Sequence, residues 1–146
     1  MNFPQLAKQP SWDDIHHSFK QMNSWEERYR QLLLLGKQLT AIPAENQDKK
    51  IAISGCESKT WFYIDQNHQL WLDSEARIIR GIIIILLTLI TYNNKDSFIS
   101  INLIDVLDDL GLKNYISHSR INGINSIWNK IIELHSNKRE ADPNLF

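Results

Sequence analysis

Cysteine is nearly absent: Cys56 is the one thiol in 146 residues, which excludes an internal disulfide and any cysteine-rich zinc or iron–sulfur site within one chain. A cytoplasmic location is the expectation that follows. An excess of either charge is missing too. Sixteen Lys+Arg against seventeen Asp+Glu leave a formal net charge of −1, without the field of a nucleic-acid or anionic-membrane binder. The expected partners are therefore proteins or small molecules, with no nucleic acid and no membrane. The N-terminal MNFPQLAKQP lacks a basic region followed by an apolar run, so no signal peptide is read and the mature chain is expected to start at or near Met1. Long apolar runs are limited to Gly81–Tyr92, GIIIILLTLITY, whose twelve residues fall short of a membrane span of ~20. That stretch reads as a buried core helix. With neither internal repeats nor low-complexity tracts, and with 42% hydrophobic and 23% charged residues, residues 1–146 read as one domain of ordinary soluble composition.

Helix signals open the chain. Ser11 with Asp14 resembles a capping box ahead of Trp12, Ile15, Phe19 and Met22 at helical spacing. Ser24 with Glu27 repeats the pattern before a second helix that stops near Gly36 and Lys37. The two together suggest a hairpin-like lid. Residues 40–50, carrying Pro43, read as a loop. From Ile51 the period becomes two: Ile51 and Ile53 lead to Gly55, and KTWFYID alternates as a strand. Asp65–His68 is a turn with Asn67 suited to a left-handed conformation, and Gln69–Leu72 returns as the partner strand. A long helix is expected from Ser74, a short one over Ile104–Leu110 closed by Gly111, and a last one over Ser119–His135 with Ile124, Ile127, Trp128 and Ile131 inward. Few strands among many helices predict an α+β fold, a two-layer sandwich with a small antiparallel sheet packed against helices.

A hairpin turn centred between Gln66 and Asn67 would set Asp73 opposite Thr60. The loop Ser54–Ser58 would then meet the start of the long helix, with Cys56 near a helix N-terminus. That terminus and Arg77 favour a thiolate, while Asp73 and Glu57 oppose it, leaving the sign of the shift open. A lone cysteine is commonly a small buried hydrophobe. A cysteine after glycine in a polar turn can equally be presented to solvent or a partner, so both readings stand. A cysteine hydrolase would need a histidine base, and none of His16, His17, His68, His118 and His135 is marked out. Gly123, beside Arg120 and Asn122 at the start of the last helix, would weaken a helix interior, so close packing is expected there.

Five ordered blocks resemble the SufE/CsdE family of sulfur acceptors that work with cysteine desulfurases. They are Trp25–Tyr29 (WEERY), Leu35–Leu39 (LGKQL), Gly55–Trp61 (GCESKTW), Asp73–Gly81 (DSEARIIRG) and Ser119–Gly123 (SRxNG), and the match covers most of the chain. The GKQL and DSEARIIRG blocks look nearer the CsdE branch, while Thr40 replaces the proline usual after the GKQL leucine. The resemblance implies a SufE/IscU-like fold and assigns persulfide transfer to Cys56. Site-shaping or partner-binding roles are expected for Gly55, Glu57, Ser58, Asp73, Ser74, Arg77, Arg120, Asn122 and Gly123, with Asp73 placed there by the hairpin register and Arg120 by the family blocks. The implied partners are a SufS- or CsdA-like cysteine desulfurase and a downstream sulfur-accepting protein, within iron–sulfur cluster assembly or another sulfur pathway. No cofactor is expected on this chain, because pyridoxal phosphate belongs to the desulfurase. The cysteine loop would be sheltered at rest and move on docking. Cluster assembly on this chain is disfavoured, since the three metal-binding cysteines of IscU-type scaffolds are absent. Two other classes remain to be separated from a sulfur carrier: a non-transferring docking module that activates a desulfurase allosterically, and an independent thiol hydrolase.

Overall fold

Serine side chains start the first two helices where the sequence pattern places them. In the computed structural model, which describes residues 3–6, 11–93 and 97–141, Ser11 accepts from the Asp14 amide at 3.3 Å and opens α1 (Trp12–Gln21). Ser24 accepts from the Glu27 amide at 3.2 Å and opens α2 (Trp25–Gly36). The loop that follows carries a short 3-10 segment at Ala44–Lys49. Next come β1 (Ile51–Ala52), β2 (Thr60–Ile64) and β3 (Leu70–Ser74), then α3 (Arg77–Tyr92), α4 (Leu103–Asp109) and α5 (His118–Ala141).

The apolar stretch becomes the centre of the core, with every residue from Gly81 to Ile90 in α3 buried. Such a helix needs cover on all sides, and α2 supplies one side. Two glycines permit the close approach. A Cβ on Gly81 would fall on the Leu32 carbonyl, and one on Gly36 would lie 2.8 Å from the Arg77 carbonyl oxygen. The expected lid is therefore corrected: α2 lies on α3 with Leu32 and Leu35 buried, as part of the core. Among the described residues, no helix is long and apolar enough to cross a membrane.

The three strands form an antiparallel sheet in the order β1-β2-β3. Its hairpin register differs by one residue from the expected one: Thr60 faces Ser74, and Asp73 faces Trp61. The Asp65 carboxylate is the physical reason. It accepts from the amides of Asn67 at 2.8 Å and Gln69 at 2.9 Å and from the Trp71 indole at 2.9 Å, which favours a turn of three residues rather than two. The left-handed position falls at His68, φ 61°, instead of Asn67. Because β3 continues through Ser74, α3 begins at Arg77 and not at Ser74.

The outer edge of β3 is closed by a side chain. Gln5, fully buried, donates through Nε2 to the carbonyls of Leu72 at 2.5 Å and Thr40 at 2.8 Å, and accepts from the Leu72 amide at 2.6 Å. This amide imitates the ladder bonds of a neighbouring strand. Leu70 and Leu72 of β3 and Phe62 of β2 join the helices in one apolar cluster, completing an α+β fold.

Candidate functional site

The connection from β1 to β2 reverses direction at Gly55, φ 89°. A side chain is excluded there twice over, because the backbone is left-handed and a Cβ would meet Ser126 Oγ at 2.5 Å. Cys56 follows, half-buried, and its sulfur turns onto the first turns of α5. Gly123 makes that approach possible. A Cβ at this position would stand 3.4 Å from Cys56 Cα and 3.6 Å from its sulfur, and the Gly123 carbonyl accepts from the thiol at 3.5 Å. The close packing expected at Gly123 is thus packing against the cysteine itself.

Beside the sulfur lies a cavity of about 10 Å³ lined by Cys56, Glu57, Ser58, Thr60, Ile79, Arg120, Gly123 and Ile127. That volume is near the minimum needed to hold one water-sized group. A wider groove of about 440 Å³, bounded by Ala52, Ile53, Trp61 and the cysteine loop, also borders Cys56. Arg120 brings a buried Nη1 that has no hydrogen-bond partner among the described residues. Such an orphan donor is costly unless a ligand or water satisfies it. Thr60 supplies a hydroxyl that contacts Ser58 O and Ser74 Oγ, each at 3.1 Å, while Ser74 donates onward to Lys59 O at 2.9 Å.

Two effects set the acidity of the thiol. Burial pushes the Cys56 pKa up from its ordinary value, and the hydrogen bond from Thr60 opposes that rise. The net shift is upward, towards the protonated thiol, the sign that the sequence left open.

Not every residue singled out in the sequence gathers here. Glu57, Ser58, Arg120 and Gly123 line the cavity, Gly55 precedes the cysteine and packs on Ser126, and Ser74 reaches the site through Thr60. Asn122 is exposed, its carbonyl accepting from Ser126 Oγ at 3.0 Å. Asp73 and Arg77 stand elsewhere. Asp73 binds the Arg80 guanidinium and the Ser74 amide, and Arg77 lines a separate cleft. The one-residue register difference turns Asp73 away from the cysteine side. Thr60, Ile79 and Ile127 were not expected at the site. Thr60 could have been read from its place within the Gly55–Trp61 block, as the first β2 residue after the cysteine loop.

No histidine lines the cavity. His16 is held by Asp109 at 2.5 Å, His135 lies against the Phe98 ring, and His17, His68 and His118 are exposed. Among the described residues, no group of three or more His, Cys, Asp and Glu side chains is placed to hold a metal ion.

Comparison with known proteins identifies a family. Residues 13–135 match the family model described as SufE, Fe-S metabolism associated domain. The chain is 33% identical over 141 residues to the sulfur acceptor protein CsdE of Escherichia coli (strain K12), covering 90% of this chain and 96% of that protein. It is 29% identical over 142 residues to an uncharacterized SufE-like protein of Rhizobium meliloti (strain 1021), covering 92% of this chain and 97% of the relative. A Haemophilus influenzae SufE-like protein is 33% identical over 120 residues, with 79% and 94% covered. By the extent of the family match and by these relatives, the chain belongs to the SufE family.

Proposed function

We propose that this chain accepts sulfane sulfur from a cysteine desulfurase onto Cys56 and passes it on, to iron–sulfur cluster assembly or another sulfur pathway. The observation that carries the reading is the seating of the thiol beside a cavity lined by Thr60 and by Arg120, whose buried Nη1 has no hydrogen-bond partner among the described residues. Both groups can donate to an anionic sulfur, and neither is a base. They suit stabilisation of a persulfide better than activation of a water.

In the proposed step Cys56 first loses its proton to solvent, a loss favoured once the loop leaves Gly123 and burial is relieved. The thiolate attacks the outer sulfur of the donor persulfide. A sulfur–sulfur bond forms at Cys56, the donor's sulfur–sulfur bond breaks, and the donor cysteine departs as a thiolate. No net oxidation occurs. The pyridoxal phosphate that generates the donor persulfide belongs to the desulfurase. When the loop closes, the outer sulfur occupies the small cavity, where Arg120 Nη1 offsets its charge and Ile79 and Ile127 exclude water. With no second cysteine in the chain, the loaded form cannot collapse to an intramolecular disulfide and persists until an external thiol takes the sulfur.

Replacing Cys56 by serine separates this reading from that of a docking module. Cys56→Ser should fold, bind the desulfurase and gain no sulfur. Desulfurase stimulation undiminished by that change would replace transfer with allosteric activation.

A further inference from the structure

Residues 77 and 79 point to nearly opposite sides of a helix, so the first turn of α3 serves two surfaces. Ile79 faces the cysteine cavity, whereas Arg77 lines a cleft of about 130 Å³ shared with Leu33, Gly36, Lys37 and Arg80. Three cations meet in this cleft on a chain whose net charge is −1. One of them is fixed and neutralised. The Arg80 guanidinium donates to the Asp73 carboxylate, to the Gly36 carbonyl at 3.3 Å and to the Leu39 carbonyl, so it forms a rigid wall. Lys37 and Arg77 are exposed and have no ion pair among the described residues. Glu75, the closest acid in sequence to Arg77, is turned to the Lys59 amide at 3.1 Å. Two cations unpaired among the described residues therefore share the cleft with the half-buried Leu33, a pattern complementary to a carboxylate followed by an aliphatic group.

We infer that this cleft is a second docking point for the partner desulfurase, receiving an acidic segment whose carboxylate bridges Lys37 and Arg77 while a neighbouring aliphatic side chain rests on Leu33. The identity of the partner rests on the function proposed above; the acidic chemistry rests on the cleft alone. A contact here, away from Cys56, would hold the partner while the cysteine loop is free to move. It gives Asp73 and Arg77 a shared role distinct from the thiol, with Asp73 fixing the wall and Arg77 offering the free charge.

The test is the double charge reversal Lys37→Glu with Arg77→Glu, both exposed positions at which folding should be preserved. In the isolated protein, the thermal midpoint and the Cys56 alkylation rate should match the unaltered chain. Affinity for a cognate desulfurase should fall about tenfold at low salt, and the difference should shrink as salt rises to about 0.5 M. In parallel, a short peptide of alternating Asp and Leu should shift the amide resonances of Leu33, Gly36 and Arg77 in the unaltered chain and not in the double variant. The peptide arm needs no desulfurase. If no cognate desulfurase binds the unaltered chain but the peptide shifts these resonances, the functional reading fails and the acidic-segment site stands. Unchanged desulfurase affinity in the double variant would overturn the inference, as would absent peptide shifts. So would inorganic phosphate giving the same shifts and displacing the peptide, which would make the cleft a small-anion site.

Discussion

Gly123 is the position at which the seating of the cysteine can be probed in two steps. A Cβ added there would stand 3.4 Å from Cys56 Cα, 3.6 Å from the sulfur and 3.7 Å from its Cβ, all ordinary contact distances. Gly123→Ala should therefore be accommodated with the loop in place. Replacing a helical glycine by alanine contributes about 1 kcal/mol, so the variant should be more stable by up to that amount. Its Cys56 alkylation rate should change little. Gly123→Leu directs three more carbons into the same space, which the Cys56 loop already fills. Overpacking of this kind costs roughly 1–3 kcal/mol, against which the helix gain of about 1 kcal/mol is smaller. The loop should yield first, because it is held to α5 by a weak thiol–carbonyl hydrogen bond at 3.5 Å rather than by an ordered ladder. Its departure would relieve burial, lower the thiol pKa and expose the sulfur. Urea unfolding and iodoacetamide alkylation across a pH series measure both quantities. Slightly raised stability for alanine and faster alkylation for leucine are the expected pair. Alkylation as slow in the leucine variant as in the unaltered chain would refute the contact between loop and helix.

Further outcomes follow from the burial of Cys56 and from other contacts. Because burial raises the Cys56 pKa, alkylation at pH 8 should be slower in the folded chain than in the urea-unfolded one. Thr60→Val, which removes the opposing hydrogen bond, should slow it further. The same shift makes this thiol's contribution to stability fully present below its unfolded pKa and lost as pH rises through the folded value, which unfolding curves from pH 7 to 10 would record. Gln5→Ala should destabilise the chain by about 3 kcal/mol in urea unfolding, since it leaves the buried Leu72 amide without its partner at 2.6 Å. A loss below about 0.5 kcal/mol would mean that this edge of β3 is not closed by Gln5.

What could be read in the sequence was local. Ser11 and Ser24 announce their helices because a cap and its amide partner lie three residues apart, and the run of isoleucines announces burial because nothing polar interrupts it. Gly123 could be flagged as a close-approach site from its place in a helix, though not its partner, 67 residues away in sequence at Cys56. The hairpin register was lost to one side chain. Asp65 gathers two amides and an indole, and period-two alternation carries no information about such a turn. That single residue also misplaced Asp73, whose real partner, Arg80, lies one helical turn or so into α3. Within the site, the block Gly55–Ser58 was legible as a motif. The roles of Thr60, Ile79 and Ile127 depend on how β2, α3 and α5 meet, which no spacing along the chain encodes.

Whether Cys56 carries sulfur is decided by intact-mass analysis after incubation with a cognate desulfurase and free cysteine. A gain of at least one sulfur atom is expected, removed by reductant, blocked by prior alkylation of Cys56 and absent from Cys56→Ser. No mass gain with any cognate desulfurase, or an equal gain in Cys56→Ser, would contradict it.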